Sequence, residues 1–181
     1  GDAPGKDRRV CTEPMKIIER YLRYAAYLDG PREKEICVVY GSMYGNTEKG
    51  LRAVLDGIED EGVPYSVHRV PNEDVSFALA DAWKSEGIVV AMPTYEYKMF
   101  PPMAWALDIF ERKHVWGRKA LRIGSWGWVG GAKKEYDELV APLKWDCIEP
   151  VEWAGSPGPE TLADLREAGR FLAREIKGAN S

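Results

Sequence analysis

The fold is indicated most directly by residues 36–47, which read Ile-Cys-Val-Val-Tyr-Gly-Ser-Met-Tyr-Gly-Asn-Thr. The apolar run at 36–40 is typical of a strand that is covered on both faces of a parallel sheet. From Thr47 to Asp60, apolar residues recur at helical spacing. A buried strand that leads through a short glycine-containing loop into a helix predicts the first βα unit of a parallel α/β sheet.

The same alternation continues to the end of the chain and predicts five strands. Strands are expected at 36–40, 65–70, 88–92, 121–124 and 147–153. Helices are expected at 47–60, 75–85, 102–113, 133–143 and 160–177. The strand at 65–70 alternates apolar with polar residues, which favours the edge of the sheet, and we expect His68 to lie on its surface.

Length and pattern predict one principal domain. The chain has 181 residues, 45% of them hydrophobic, which is enough to bury a sizeable core. Residues 1–11 form a polar lead or a remnant of expression, and residues 12–30 form a connector helix that begins near Pro14 and is stopped by Gly30-Pro31. The α/β domain is expected at 34–178.

Composition argues against several classes of protein. A formal net charge of -4 provides no basic field for nucleic acid or for an anionic membrane. No stretch approaches the roughly 20 apolar residues of a membrane span, so we expect a cytoplasmic protein. Three cysteines without a CxxC pair and two histidines favour neither a disulfide framework nor a metal site. We expect the cysteines to be buried.

The loop after the first strand has the features of a phosphate site. It consists of Ser42, Met43, Tyr44, Gly45, Asn46 and Thr47. Hydroxyl groups, a glycine and the free N–H groups at a helix N-terminus suit a phosphate, because that terminus carries roughly half a positive charge. The P-loop, the dinucleotide fingerprint and the nucleophile elbow are all absent from the sequence. A turn that only caps the helix through Asn46 or Thr47 is the alternative.

Two later loops supply aromatic rings at the same end of the sheet. After the third strand come Pro93, Thr94, Tyr95, Glu96 and Tyr97, and after the fourth come Ser125, Trp126, Gly127, Trp128, Gly130 and Gly131. Flat side chains flanked by glycines suit a planar heteroaromatic ring such as an isoalloxazine. The alternative is that these rings only pack the top of the sheet. A Glu96 carboxylate close to a flavin would lower its reduction potential.

Three segments together resemble the flavodoxin domain of flavo-diiron proteins, the A-type flavoproteins. They are residues 39–48, residues 93–102 with the sequence Met-Phe-Pro-Pro at their end, and residues 124–131. The resemblance covers about residues 12–177. It implies a flavodoxin-like three-layer sandwich, a parallel sheet of strand order 2-1-3-4-5, and one flavin mononucleotide (FMN) between strands one and three; flavodoxin is the standard example of that placement.

The resemblance also implies roles. Ser42, Tyr44, Asn46 and Thr47 would hold the phosphate, residues 94–97 one side of the ring, and residues 126–128 the other. Electrons would come from a rubredoxin-like or reductase donor and pass to a diiron centre on a separate metallo-β-lactamase-like domain. No side chain is expected to be catalytic, and no His-x-Glu-x-Asp run is present. The chain alone is therefore not expected to reduce oxygen or nitric oxide, and it is expected to be monomeric.

Two other functions remain open from the sequence. One is an FMN enzyme that takes electrons directly from NAD(P)H to reduce a quinone. The other is a module that keeps the fold for protein interaction without redox chemistry. The pair Glu96-Tyr97 also departs from the family, which often carries asparagine there.

Overall fold

A computed structural model of the chain describes residues 14–29 and 32–178. The strands are β1 (Glu33–Tyr40), β2 (Tyr65–Arg69), β3 (Ser85–Ala91), β4 (Thr94–Tyr95), β5 (Lys98–Met99), β6 (Lys119–Trp126), β7 (Asp146–Cys147) and β8 (Val151–Ala154). The helices are α1 (Pro14–Asp29), α2 (Asn46–Asp60), α3 (Val75–Lys84), α4 (Pro101–Arg112), α5 (Ala132–Val140) and α6 (Pro159–Gly178), with a 3-10 turn at Ala141–Leu143.

The main sheet is parallel and has the order β2-β1-β3-β6-β7, with β8 also paired to β6. The expected order 2-1-3-4-5 is confirmed, since β6 is the fourth strand and β7 and β8 together occupy the fifth position. β7 pairs with the start of β6 and β8 with its end. Pro150 lies in the interruption between them, and it has no N–H to donate to a ladder.

Alternate residues of the central strands enter two separate cores. Cys37 and Val39 belong to the core that also contains α3, α4 and α5 residues, whereas Ile36 and Val38 belong to the core with α2 and α6. Side chains of a strand point to opposite faces, so a strand that is apolar throughout must be covered on both. The continuous apolar run of β1 has this arrangement.

Some local expectations are wrong. The helix expected through residue 85 ends at Lys84, because Ser85 already has an extended backbone, with φ of -78° and ψ of 139°, and begins β3. The helix expected through residue 143 ends as an α-helix at Val140, since Pro142 has no N–H for its ladder.

His68 is buried and does not lie on the strand surface as expected. Its Nδ1 lies 2.6 Å from a Glu73 carboxylate oxygen and its Nε2 lies 2.8 Å from an Asp81 carboxylate oxygen. The imidazole thus joins β2 to α3. Of the cysteines, Cys37 is buried as expected, but Cys147 is exposed.

The segment before the sheet is helical between Pro14 and Asp29, inside the predicted connector at 12–30. Tyr24 packs against Trp83 of α3 with ring centroids 6.0 Å apart, and Arg23 forms a salt bridge with Glu33 at 2.7 Å. The predicted polar lead at 1–11, including Cys11, lies outside the described residues. The division of the chain into lead, connector and domain stays a prediction.

Within the described part of the chain, no helix has the length and apolar character needed to cross a bilayer. The same residues contain no group of three or more His, Cys, Asp or Glu side chains arranged to hold a metal ion.

An arginine pair on α6 should make stability depend on pH near the end of α2. Arg166 and Arg170 contact the Asp60 carboxylate at 2.8 and 2.7 Å and lower its pKa from the ordinary 3.8 to about 2. A lowered pKa stabilises the fold above the ordinary value, and this contribution is lost as the pH falls from about 4 to about 2. We expect Asp60→Asn to lose less stability than the wild type over that interval in acid unfolding followed by circular dichroism. Asp56→Asn, one turn earlier, is the control and should follow the wild type.

Candidate functional site

The three predicted loops surround one open cavity of about 460 Å³ at the carboxyl end of the sheet. Its lining consists of Met43, Tyr44, Asn46, Thr47, Pro93, Thr94, Tyr95, Glu96, Tyr97, Ser125, Trp126, Gly127, Trp128, Val129 and Gly155. The loops that supply them follow β1, β3, β6 and β8, so the cavity lies at the point where the strand order reverses. Its volume falls within the range of about 300–1,000 Å³ that is usual for small-molecule sites.

The first loop leaves the N-terminus of α2 open. Gly45 is the N-cap residue, with φ at 81°, and no side chain among the described residues caps the helix. Asn46 and Thr47 therefore do not form the capping turn that was the alternative. The Gly45 N–H donates to Ser42 Oγ at 3.1 Å, which leaves the Ser42 proton available as a donor. The first N–H groups of a helix have no intrahelical acceptor, so they can address an anion here.

Thr47, in the first turn of α2, is joined to the end of β6. Its Oγ1 lies 2.9 Å from Ser125 Oγ, and both side chains are buried. Because this bond joins a helix to a strand at the edge of the cavity, it fixes the position of the α2 N-terminus relative to the end of β6.

The second loop is a β-hairpin made of β4 and β5, which the sequence did not reveal. Glu96 and Tyr97 form its two-residue turn and have φ angles of 44° and 65°. Two positive φ angles characterise a type I′ turn, which normally selects Asn and Gly. The turn is held from outside the main sheet, because a Glu135 carboxylate oxygen of α5 accepts the Met99 N–H at 2.7 Å.

Large aromatic surfaces around the cavity are exposed. Trp128 is 97% exposed, Tyr44 85% and Tyr97 72%, whereas Trp126 is partly buried. Aromatic side chains clustered at the mouth of an open cavity are costly to leave in water and suit a flat apolar ligand. The alternative that the rings of the two later loops only pack the top of the sheet is therefore wrong for Tyr97 and Trp128.

All the predicted site residues line the cavity except Ser42, Gly45, Gly130 and Gly131. These four belong to the same loops but are not among the lining residues. Val129 and Gly155 line the cavity but were not predicted. The position of Gly155 could have been predicted from the sequence, because this residue directly follows the last strand. Loops at the carboxyl end of a parallel sheet face the ligand site.

The cavity fits FMN in its donor groups and its charge. Among the residues that the structure describes, Glu96 is the one with a charged side chain in the cavity lining, so a phosphate there would depend on the open helix N-terminus and on hydroxyl groups. That arrangement is a recognised way to bind a phosphate without lysine or arginine. The exposed aromatic residues flank the rest of the cavity, as a planar ring requires.

The fold and this site define a flavodoxin-like protein. The family model described as Flavodoxin matches residues 38–169, and the chain belongs to that family. Proteins of this family bind FMN, the cofactor that the sequence predicted.

Similar proteins include much longer flavoproteins. The chain is 33% identical to the coenzyme F420H(2) oxidase of Methanothermobacter marburgensis over 93% of its own length and 42% of the relative's length. It is 31% identical to the anaerobic nitric oxide reductase flavorubredoxin of Aeromonas hydrophila over 90% of its own length and 33% of the relative's length. The chain thus spans less than half of these curated relatives.

Solved structures show the same fold. The flavodiiron protein of Giardia intestinalis aligns with a TM-score of 0.79 at 25% identity, over 90% of this chain and 40% of that one. Rubredoxin oxygen:oxidoreductase of Desulfovibrio gigas aligns with a TM-score of 0.82 at 21% identity, over 91% of this chain and 41% of that one. The chain is therefore homologous to the flavodoxin-like part of flavodiiron proteins, as its loops predicted.

Two replacements of Glu96 should distinguish the effect of backbone strain in the hairpin turn from the effect of the glutamate charge. A left-handed residue other than glycine costs roughly 1–2 kcal/mol, and asparagine tolerates that region better than glutamate. We expect Glu96→Asn to raise the free energy of unfolding by up to about 1 kcal/mol, and Glu96→Gln, with the same loss of charge, to leave it nearly unchanged. Both variants should raise the reduction potential of bound FMN. Equal stability of the two variants in urea unfolding would contradict the strain argument.

Proposed function

We propose that the cavity binds FMN, with its phosphate at the N-terminus of α2 and its ring between the hairpin turn and the loop after β6. The observation that carries the proposal is the pairing of an uncapped helix N-terminus with exposed aromatic rings around one cavity. Ser42, Tyr44, Asn46 and Thr47 are the proposed phosphate contacts. Residues 94–97 and 126–128 are the proposed ring contacts.

We propose that the chain transfers electrons rather than chemical groups. The flavin supplies the redox chemistry when it is bound, and the protein binds it, orients it and sets its surroundings. Within residues 14–29 and 32–178, no histidine, cysteine or lysine that could act as nucleophile or base lines the cavity. Thr94, Tyr95 and the backbone of the turn would position the ring edge, and Glu96 would add a negative charge beside it.

We propose further that a rubredoxin-like or reductase donor supplies the electrons, and that a diiron centre on another domain accepts them. The supporting observation is the likeness to the flavodoxin-like part of proteins named as oxygen, nitric oxide or coenzyme F420H(2) oxidoreductases. A cytoplasmic setting is proposed with it, since Cys37 and Cys147 are free thiols.

Reconstitution tests the binding step. Purified protein mixed with FMN should quench the flavin fluorescence and give the structured absorption spectrum of a bound flavin. Riboflavin has the same ring without the phosphate, and we expect it to bind at least roughly tenfold more weakly. Failure of FMN to bind would contradict the whole proposal, whereas equal binding of riboflavin would contradict the phosphate assignment only.

Stopped-flow reduction distinguishes the remaining functions. For an electron relay, NAD(P)H alone should reduce the bound FMN slowly, and addition of a reduced rubredoxin-type donor should make reduction fast. Rapid reduction by NAD(P)H alone would favour the quinone reductase. A protein that binds no flavin under any condition would be the interaction module.

A further inference from the structure

A second, smaller cavity of about 180 Å³ lies where the fifth strand is interrupted. Its lining includes Arg122 of β6, Lys133, Tyr136 and Asp137 of α5, and Cys147 of β7. It shares no lining residue with the larger cavity. The two cavities are therefore separate sites.

Arg122 is buried in this region, and two of its three side-chain nitrogen atoms make no hydrogen bond to the described residues. Its side chain is 2% exposed, and Nη1 donates to a Glu152 carboxylate oxygen at 2.9 Å. Nε and Nη2 are buried and have no hydrogen-bond partner among the described residues. These two atoms form the side edge of the guanidinium, which presents two parallel N–H groups to a carboxylate. A buried charged donor without an acceptor costs folding free energy, so an acceptor bound at this edge would stabilise the protein.

Tyr136 adds a third donor. Its ring packs under the Arg122 guanidinium at 5.5 Å, and it is 3% exposed. Its buried hydroxyl has no hydrogen bond of normal geometry among the described residues and interacts only with the Cys147 thiol, which is a weak acceptor. All three unsatisfied atoms can donate a hydrogen bond. A ligand that satisfies them must therefore bring oxygen acceptors.

The charges around the cavity limit a ligand to at most one negative charge, so that its binding depends on hydrogen bonds more than on net charge. Lys133 forms an ion pair with Asp137 at 2.5 Å, and both side chains are more than half exposed, so they can move to admit a ligand. Glu149 also lines the cavity, and Glu152 already balances Arg122. A dianion such as phosphate would meet these carboxylates unfavourably. The volume exceeds that of one water, about 30 Å³, several times over.

From this geometry we propose that the cavity binds a small monocarboxylate, whose oxygens accept from Arg122 Nε and Nη2 and from the Tyr136 hydroxyl. The carbon chain of the ligand then lies beside the Cys147 thiol at the edge of the cavity. Although the residue as a whole is exposed, partial burial of its sulfur raises the pKa of this thiol, so the sulfur is neutral at pH 7 and adds no charge that would repel the carboxylate.

Cys147 makes the site measurable through two matched alkylating reagents. Iodoacetate and iodoacetamide form the same S–CH2 bond, release iodide and send the thiol proton to solvent, but only iodoacetate carries a carboxylate. In the full chain, with Cys147 followed by peptide mass spectrometry, the ratio of the iodoacetate rate to the iodoacetamide rate should exceed that of a free model thiol by roughly tenfold. Arg122→Gln should reduce the ratio to that of the model thiol.

A second set of measurements tests the proposal even if Arg122→Gln fails to fold. Tyr136→Phe, which keeps the ring, should lower the ratio in part, and Lys133→Gln should lower it more than Lys134→Gln, which changes the net charge equally. Acetate, but not acetamide, should protect Cys147 of the wild type from iodoacetate, and phosphate should protect it less. A wild-type ratio equal to that of the model thiol, without protection by acetate, would mean that the donors meet only water and would overturn the proposal.

Discussion

Alanine in place of Gly131 is expected to weaken FMN binding by roughly tenfold to a hundredfold. A Cβ at this position would lie 2.4 Å from the Tyr97 carbonyl oxygen and 2.9 Å from its carbonyl carbon. Both atoms belong to the backbone of the hairpin turn, so no side-chain rotation relieves the contact. The hairpin must move away from the start of α5, and the proposed ring contacts at 94–97 move with it. Gly131 has an extended φ of 168°, so the expected effect is steric and not conformational.

Gly130→Ala is the matched control for this variant. The neighbouring glycine would place its Cβ 3.7 Å from the Trp126 ring, which is an ordinary van der Waals contact. Fluorescence titration with FMN should give this variant an affinity close to that of the wild type. Equal weakening by both substitutions would mean that the loop needs glycine for its flexibility, and the proposed packing of Gly131 against the turn would be wrong.

The parts of the fold that were predicted correctly are those that local sequence patterns determine. The run at 36–40 is apolar at every position, and this distinguishes a strand covered on both faces from an edge strand such as β2. Strand ends then locate the site, because loops at the carboxyl ends of parallel strands share one edge of the sheet. Asn46 and Thr47 could be assigned to the cavity lining on that ground alone.

The features that were missed depend on contacts between distant residues. The turn Glu96-Tyr97 contains neither glycine nor asparagine, and it is stabilised by Glu135 of α5, a contact that no local pattern encodes. Likewise His68 occupies a polar position of an alternating strand, and its burial follows from Glu73 and Asp81 in later segments. Each residue departs from a local rule and is stabilised by a partner elsewhere in the chain.

The largest loss of stability is expected from Gly57→Ala, where α2 crosses α6. A Cβ on Gly57 would lie 2.0 Å from the Arg166 carbonyl oxygen, and a Cβ on Gly169 would lie 2.2 Å from the Val54 carbonyl oxygen. The two glycines therefore let the helix backbones approach each other directly. Alanine favours a helix over glycine by at most about 1 kcal/mol, whereas overpacking typically costs about 1–3 kcal/mol. The added methyl group would meet backbone atoms of α6, which cannot rotate away. We therefore expect the free energy of unfolding, measured in urea, to fall by an amount near the upper end of that range.

Gly178→Ala provides the comparison, because it lies in α6 with open space around the added methyl group. It should leave the free energy of unfolding unchanged or raise it slightly. The double variant Gly57→Ala/Gly169→Ala tests the mechanism further. Once the first methyl has separated the helices, the second meets less resistance, so the double variant should lose less stability than the sum of the two single losses. Strict additivity would mean that each glycine acts alone and that the two helices do not move apart as rigid bodies.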